Sequence, residues 1–121
     1  MEKPLAFIVE DDPKLNRIFC LSLERDFQVQ SCNDGDEAIR RLGEITPLLA
    51  ILDLNLPGKS GAEILKFIRS TERLAKVRVI LATADERQAE TLERDADLVL
   101  LKPVSPMQLR DLAARFKPQG G

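Results

Sequence analysis

The stretch Leu48-Leu49-Ala50-Ile51-Leu52 runs without a polar residue into Asp53, and Pro57 with Gly58 closes it. Consecutive apolar residues leave neither side of a strand suited to water. The segment therefore predicts a strand covered on both faces, which restricts the chain to a sheet packed between helices. Asp53 falls at that strand's carboxyl end, the edge where open α/β sheets carry their ligand crevice. Taken alone, its carboxylate serves equally well to cap the following turn. The ends of the other strands have to decide.

Four further segments fall into place around it. Leu5 to Val9 is an apolar run leading into Glu10, Asp11 and Asp12, with Pro13 next and a helical pattern over about Lys14 to Arg25. Asp12 before Pro13 fits an N-cap followed by proline at the first helical position, a structural role. In this helix Leu15, Ile18, Phe19 and Ser22 are spaced as the buried face. Phe27, Val29 and Ser31 alternate with Gln28 and Gln30 as a half-covered edge strand, and Asp34 caps a second helix that stops near Gly43. A polar loop, 55–61, follows Asp53 and leads to a third helix carrying Ile64, Leu65, Phe67 and Ile68.

Val77 to Ala82 predicts a fourth strand ending in Thr83-Ala84-Asp85, followed by a short polar helix over about Glu86 to Arg94 with only Ala89 and Leu92 to bury. Leu98 to Leu101 predicts a fifth buried strand, delivering Lys102 and Pro103. Ser105-Pro106 caps a last helix with a stripe of Leu109, Leu112, Ala113 and Phe116. Five strand-helix repeats predict a parallel sheet with helices on both faces, in one domain over 1–117 with 118–121 as a tail or the start of a linker.

Composition removes several chemistries. The 121 residues contain no histidine, which excludes Ser-His-Asp and Cys-His catalysis, a histidine zinc site and a histidine phospho-carrier on this chain. Cys20 and Cys32 lack paired metal-ligand spacing and read as small core residues. The net charge is −2 with no dense basic run, so direct nucleic-acid binding is not expected of this domain. No apolar run approaches the roughly 20 residues of a membrane span, and the first residues lack a secretory pattern, so the chain reads as cytoplasmic.

What remains is carboxylate, lysine and hydroxyl chemistry. The strand ends supply Glu10 and Asp11 from the first strand, Asp53 from the third, Thr83 from the fourth and Lys102 from the fifth. Right-handed crossovers bring these ends to one edge of the sheet. Three acids sharing a pocket repel one another, so a hard divalent cation such as Mg2+ is expected, with Lys102 neutralising a further oxygen.

In this order the motifs Val9-Glu10-Asp11-Asp12-Pro13, Leu52-Asp53-Leu54-Asn55-Leu56-Pro57-Gly58 with Gly61, Thr83-Ala84 and Lys102-Pro103 make the chain resemble the receiver domain of two-component response regulators over essentially its whole length. The resemblance implies a flavodoxin-like (βα)5 fold with strand order 2-1-3-4-5. It implies that Asp53 accepts a phosphoryl group from a histidine kinase or phosphotransfer protein, in a signalling domain rather than an enzyme. Mg2+ would be held by Asp11, Asp53 and the main-chain carbonyl of Asn55, with Glu10 orienting its water; no other cofactor is implied. Lys102 and Thr83 would contact the phosphoryl oxygens, and Lys102-Pro103 resembles the family's cis peptide. The face of the fourth helix, fifth strand and fifth helix would meet an output domain, a partner or a second copy.

Two departures bear on the switch. Where receivers carry Tyr or Phe three residues before the lysine, this chain has Val99, and only 19 positions separate Thr83 from Lys102, so the fourth helix or its leading loop should be trimmed. The resemblance implies that Asn55 and Asp85, two residues beyond Asp53 and Thr83, flank the path of the hydrolytic water; both are small and polar, so that path should stay open and a phosphorylated state should hydrolyse within minutes. Two alternatives are a haloacid-dehalogenase-type aspartyl-phosphate phosphatase and a receiver-like binding module that is not phosphorylated. The first wants a second acid where Asn55 stands; the second should have lost Asp53, Lys102 or the acidic pair.

Overall fold

The computed structural model describes residues 2–118. Its elements alternate: β1 (Leu5–Val9), α1 (Pro13–Leu23), β2 (Gln28–Cys32), α2 (Gly35–Leu42), β3 (Leu49–Asp53), α3 (Gly61–Ser70), a single 3-10 turn (Glu72–Leu74), β4 (Arg78–Thr83), α4 (Glu86–Leu92), β5 (Leu98–Leu101) and α5 (Pro106–Ala114). All strand pairs are parallel and the order is β2-β1-β3-β4-β5, as the sequence implies. Of the predicted tail, 119–121 lie outside the described residues.

Alternation along each strand splits the core into two layers. Phe7, Val9, Ala50, Leu52, Val79 and Leu81 face Ala38 and Leu42 of α2 and Ile64, Leu65 and Ile68 of α3. Their neighbours Ala6, Ile8, Leu49, Ile51 and Ile80 face Phe19 and Leu23 of α1 and Leu109 and Ala113 of α5. Every residue of β3 is buried because it contributes to both layers. Three helices begin at side-chain caps already legible in the sequence, Asp12, Asp34 and Ser105, and α3 begins at Ser60; each accepts main-chain N–H groups of its first turn. Asp85 does the same for α4.

Several boundaries and faces differ from expectation. Helix α1 ends at Leu23 and buries Phe19 and Leu23, whereas Ile18 is 38% exposed and Leu21 53% exposed. The chain leaves α1 through Phe27, which is itself buried, and this turn rotates the covered stripe toward the helix's carboxyl end. Strand β4 starts one residue later than Val77, and α4 stops at Leu92. Strand β5 is not a buried strand: it lies at the sheet edge, its first three residues are half-covered, and Leu101 is 47% exposed because only the short α4 flanks it on that side. An apolar run alone does not distinguish an edge from a centre.

A truncation at the doubly covered strand should therefore cost far more than one at the edge. Ile51→Ala is expected to lose about 2–5 kcal/mol of unfolding free energy, and Leu101→Ala less than about 1 kcal/mol, in urea denaturation followed by far-UV circular dichroism.

Candidate functional site

Strand register sets the site. Val9 pairs with Leu52, and Asp53 pairs with Ala82, so Glu10 and Asp11 emerge from β1 beside Asp53 at the end of β3. Thr83 pairs with Leu101, and the next N–H, that of Lys102, donates to the Thr83 carbonyl at 2.8 Å. The Lys102–Pro103 peptide is cis. One carboxylate oxygen from each of Glu10, Asp11 and Asp53 lies within 4.8 Å of the others.

The sole amine among them is Lys102, whose Nζ lies 3.0 Å from Glu10 Oε1 and 3.2 Å from Asp53 Oδ2. Glu10 is 1% exposed and Asp53 3%, whereas Asp11 is open to solvent. The other carboxylate oxygens are held by main chain: Glu10 Oε2 accepts the Asp12 N–H at 3.1 Å, and Asp53 Oδ1 accepts that of Asn55 at 3.1 Å. Thr83 is fully buried, and its Oγ1 accepts the Asp85 N–H at 3.0 Å, which leaves its hydroxyl proton available as a donor.

Charge in this pocket is unbalanced. Burial pushes the Glu10 carboxyl up to about 7, reinforced by Asp53 and opposed by the Asp12 N–H and Lys102. Burial pulls the Lys102 ammonium down, but its hydrogen bond to Glu10 and the charges of Asp53 and Glu10 outweigh that, and its pKa is raised. An all-oxygen donor set of three converging carboxylates, one of them solvent-facing, fits a hard divalent cation and not a soft metal that prefers sulfur or imidazole.

The structure thus gathers Glu10, Asp11, Asp53 and Lys102 into one cluster, with Thr83 at the neighbouring strand end. Asn55 joins through its main chain, and its side chain points into solvent-exposed space. Asp12 caps α1, accepting from Lys14 and Leu15 N–H groups. Val99 is half-buried and packs with Leu92 and Ala96 against the α2/α3 layer. The sequence reading passed over Asn16. Its Nδ2 donates to the Glu10 carbonyl at 2.9 Å and the Cys32 carbonyl at 3.1 Å, tying the ends of β1 and β2 behind the acids. A polar residue between Leu15 and Phe19 on the inward side of α1 was the available signal.

A doubly wound domain whose strand ends bring three acids and a lysine to one rim defines an α/β domain with an acidic pocket at the carboxyl edge of its sheet. The response regulator receiver domain family matches residues 6–114, and the chain belongs to that family. It is 34% identical over 114 residues to the phosphate regulon transcriptional regulatory protein PhoB of Escherichia coli strain K12, covering 91% of this chain and 48% of that protein. It is 39% identical over 114 residues to the transcriptional regulatory protein GltR of Pseudomonas aeruginosa, covering 91% and 46%. The chain thus spans about half the length of these relatives. Among solved structures, the BeF3-activated DrrB receiver domain superposes with a TM-score of 0.83 at 27% identity, covering 94% of this chain and 97% of that one; DrrB is a Thermotoga maritima homolog of OmpR and PhoB. The domain is a response regulator receiver of the two-component type.

The raised Glu10 pKa has a consequence for stability without metal. Its folded value of about 7 lies above the 4.5 of a free glutamate carboxyl, so the folded state binds the extra proton between these pH values. The stability this contributes is present below the lower value and lost as pH rises through the higher one. Glu10→Gln lacks that loss. In EDTA, the variant's urea-unfolding free energy is expected to gain on wild type by on the order of 2 kcal/mol between about pH 5 and pH 8. A difference that stays flat with pH would contradict the assignment.

Proposed function

We propose that Asp53 is the phosphoacceptor of a two-component relay, receiving its phosphoryl group from a histidine kinase or a phosphotransfer protein. The observation that carries this reading is the state of its carboxylate: buried, with one oxygen fixed by the Asn55 N–H and the other by Lys102, beside the solvent-facing Asp11. Such a group is oriented by both of its oxygens, and carboxylate attack on phosphorus needs no general base. A carboxylate oxygen of Asp53 bonds to phosphorus as the phosphorus–nitrogen bond of the donor's phosphohistidine breaks, and the imidazole nitrogen keeps the electron pair.

Asp11, Asp53, the Asn55 main-chain carbonyl and Glu10 are the groups that would hold Mg2+, Glu10 through a water. Mg2+, when bound, offsets the negative charge shared by carboxylates and phosphoryl oxygens. Lys102 can leave its ion pairs for a phosphoryl oxygen, and Thr83 has a hydroxyl proton to donate to another. Both contacts arise only after transfer, and only such differential contacts shift a conformational equilibrium. Driving a population from 1:99 to 99:1 takes about 5.5 kcal/mol of difference.

With Val99 in place of an aromatic ring, the shift is read through Thr83, the loop behind it and α4, which buries only Ala89 outright. The domain works in the cytoplasm as a signalling switch and not as an enzyme on an external substrate. The relatives' names point to transcriptional control as the output, reached through the α4–β5–α5 face, where Leu101 is exposed, by an output domain, a partner or a second copy. Among the described residues no helix is long and apolar enough to cross a membrane.

Incubation with acetyl phosphate and Mg2+, followed by intact-mass spectrometry, tests this directly. Wild type is expected to gain one phosphoryl group and lose it within minutes after the donor is removed, and Asp53→Ala to gain none. Modification retained in the variant would move the acceptor elsewhere, and a phosphoprotein stable for many hours would contradict the open path beside Asn55 and Asp85.

A further inference from the structure

The loop from Asp53 to α3 is held from a side that no acidic residue accounts for. Gly35, the first residue of α2, donates its N–H to the Pro57 carbonyl at 3.0 Å. A Cβ on Gly35 would lie 1.6 Å from the Lys59 carbonyl oxygen, 2.4 Å from its carbon and 2.8 Å from its Cα. These are backbone atoms, so no side-chain rotation relieves the clash. From the loop's side, Gly58 has φ +75°, and a Cβ there would meet Asp36 Oδ2 at 2.4 Å. Gly35 thus lets α2 and the loop touch backbone to backbone, and Gly58 leaves room for the Asp36 side chain of the first turn of α2.

Helix α2 itself has no need of Gly35. Asp34 caps it by accepting the Glu37 N–H at 2.8 Å, Gly35 is not in the positive-φ region, and alanine is the better helix former at such a position. The residue is explained by the loop alone. That loop begins at Asn55, whose N–H holds Asp53 Oδ1, and it shares an open depression with Asp11. At its far end Gly61 packs on the Asp53 carbonyl, where a Cβ would come within 2.3 Å. The loop is therefore anchored at its end by Gly61 and steadied in its middle by α2.

We propose that the first turn of α2 is a positioning element of the phosphorylation site, with Gly35 and Gly58 as the contact that keeps the loop, and with it the Asn55 main chain, aligned beside Asp53. This rests on the reading that the Asn55 carbonyl and the acids hold Mg2+. Gly35 and Gly58 touch neither metal nor phosphoryl group; they act through the loop. A Cβ at either position pushes the Asn55 carbonyl away while leaving both core layers intact.

The test compares Gly35→Ala and Gly58→Ala with Gly43→Ala, a control at the opposite end of α2 where φ is −70° and a Cβ would meet the Arg40 carbonyl at 3.2 Å, a contact relieved by a shift of a few tenths of an ångström. Two readouts are taken on the full chain: the Mg2+ dissociation constant by titration calorimetry, and the Asn55 and Lys59 amide shifts by NMR without metal. Both loop variants are expected to move these amides and to weaken Mg2+ by about tenfold or more, with Gly43→Ala like wild type in both. A loop variant that folds and binds Mg2+ like wild type overturns the proposal. Should Gly35→Ala not fold, Gly58→Ala on the exposed loop decides alone. Should wild type itself not bind Mg2+, the metal reading fails, and unmoved Asn55 amides in the variants would then overturn the seat as well.

Discussion

Three carboxylates crowded against one ammonium group dominate this molecule. Glu10, Asp11 and Asp53 approach within 4.8 Å, two of them buried, and among the described residues Lys102 is the one cation paired with them. Left in a low-dielectric pocket, such a set must take up a proton, recruit a cation or move apart. The fold forbids the third course to the two buried acids, because Glu10 follows β1 directly, Asp53 ends β3, and both strands are locked in register on their neighbours. Proton uptake appears as the raised Glu10 pKa, and the cation is what the proposed function supplies.

Holding the acids in place requires rigidity on both sides of the sheet. Strand β3 contributes to both core layers, and Asn16 ties the ends of β1 and β2 behind Glu10. At the opposite end of the strands the polar work is separate. Asp97 accepts the Val79 N–H at 2.7 Å and pairs with Arg69 and Arg78 at 3.1 Å, while Arg69 also donates to the carbonyls of Ala75, Val77 and Asp95. That network fastens the end of α3 to the starts of β4 and β5. Structural ion pairs thus gather at the strand starts, and the strained charges gather at the strand ends. Between them α4 is the least anchored helix, with Ala89, itself 9% exposed, its one buried residue.

Much of this was legible before any coordinates. Apolar runs ending in Glu10-Asp11, Asp53, Thr83 and Lys102 gave strand positions and site residues together, because a buried strand that stops at a polar residue announces which edge that residue occupies. The caps at Asp12, Asp34 and Ser105 have local causes and follow from local sequence. What escaped depends on partners distant along the chain. The covered face of α1 is decided by α5 and by Phe27, so spacing alone put Ile18 inside when more than a third of it is exposed. The exposure of β5 reflects its place at the edge and the brevity of α4. The seat between Gly35 and the loop joins segments more than twenty residues apart, and a glycine at a helix start reads locally as punctuation.

The excess of acid over amine can be weighed directly by urea unfolding of the metal-free protein at neutral pH, comparing Asp53→Asn and Lys102→Met with wild type. Removing one acid leaves Lys102 paired with Glu10 and relieves repulsion, so Asp53→Asn should be more stable than wild type; removing the amine should make Lys102→Met less stable. An Asp53→Asn protein that loses stability alongside Lys102→Met would mean that the pocket is balanced as it stands, and the need for a cation would disappear with the imbalance.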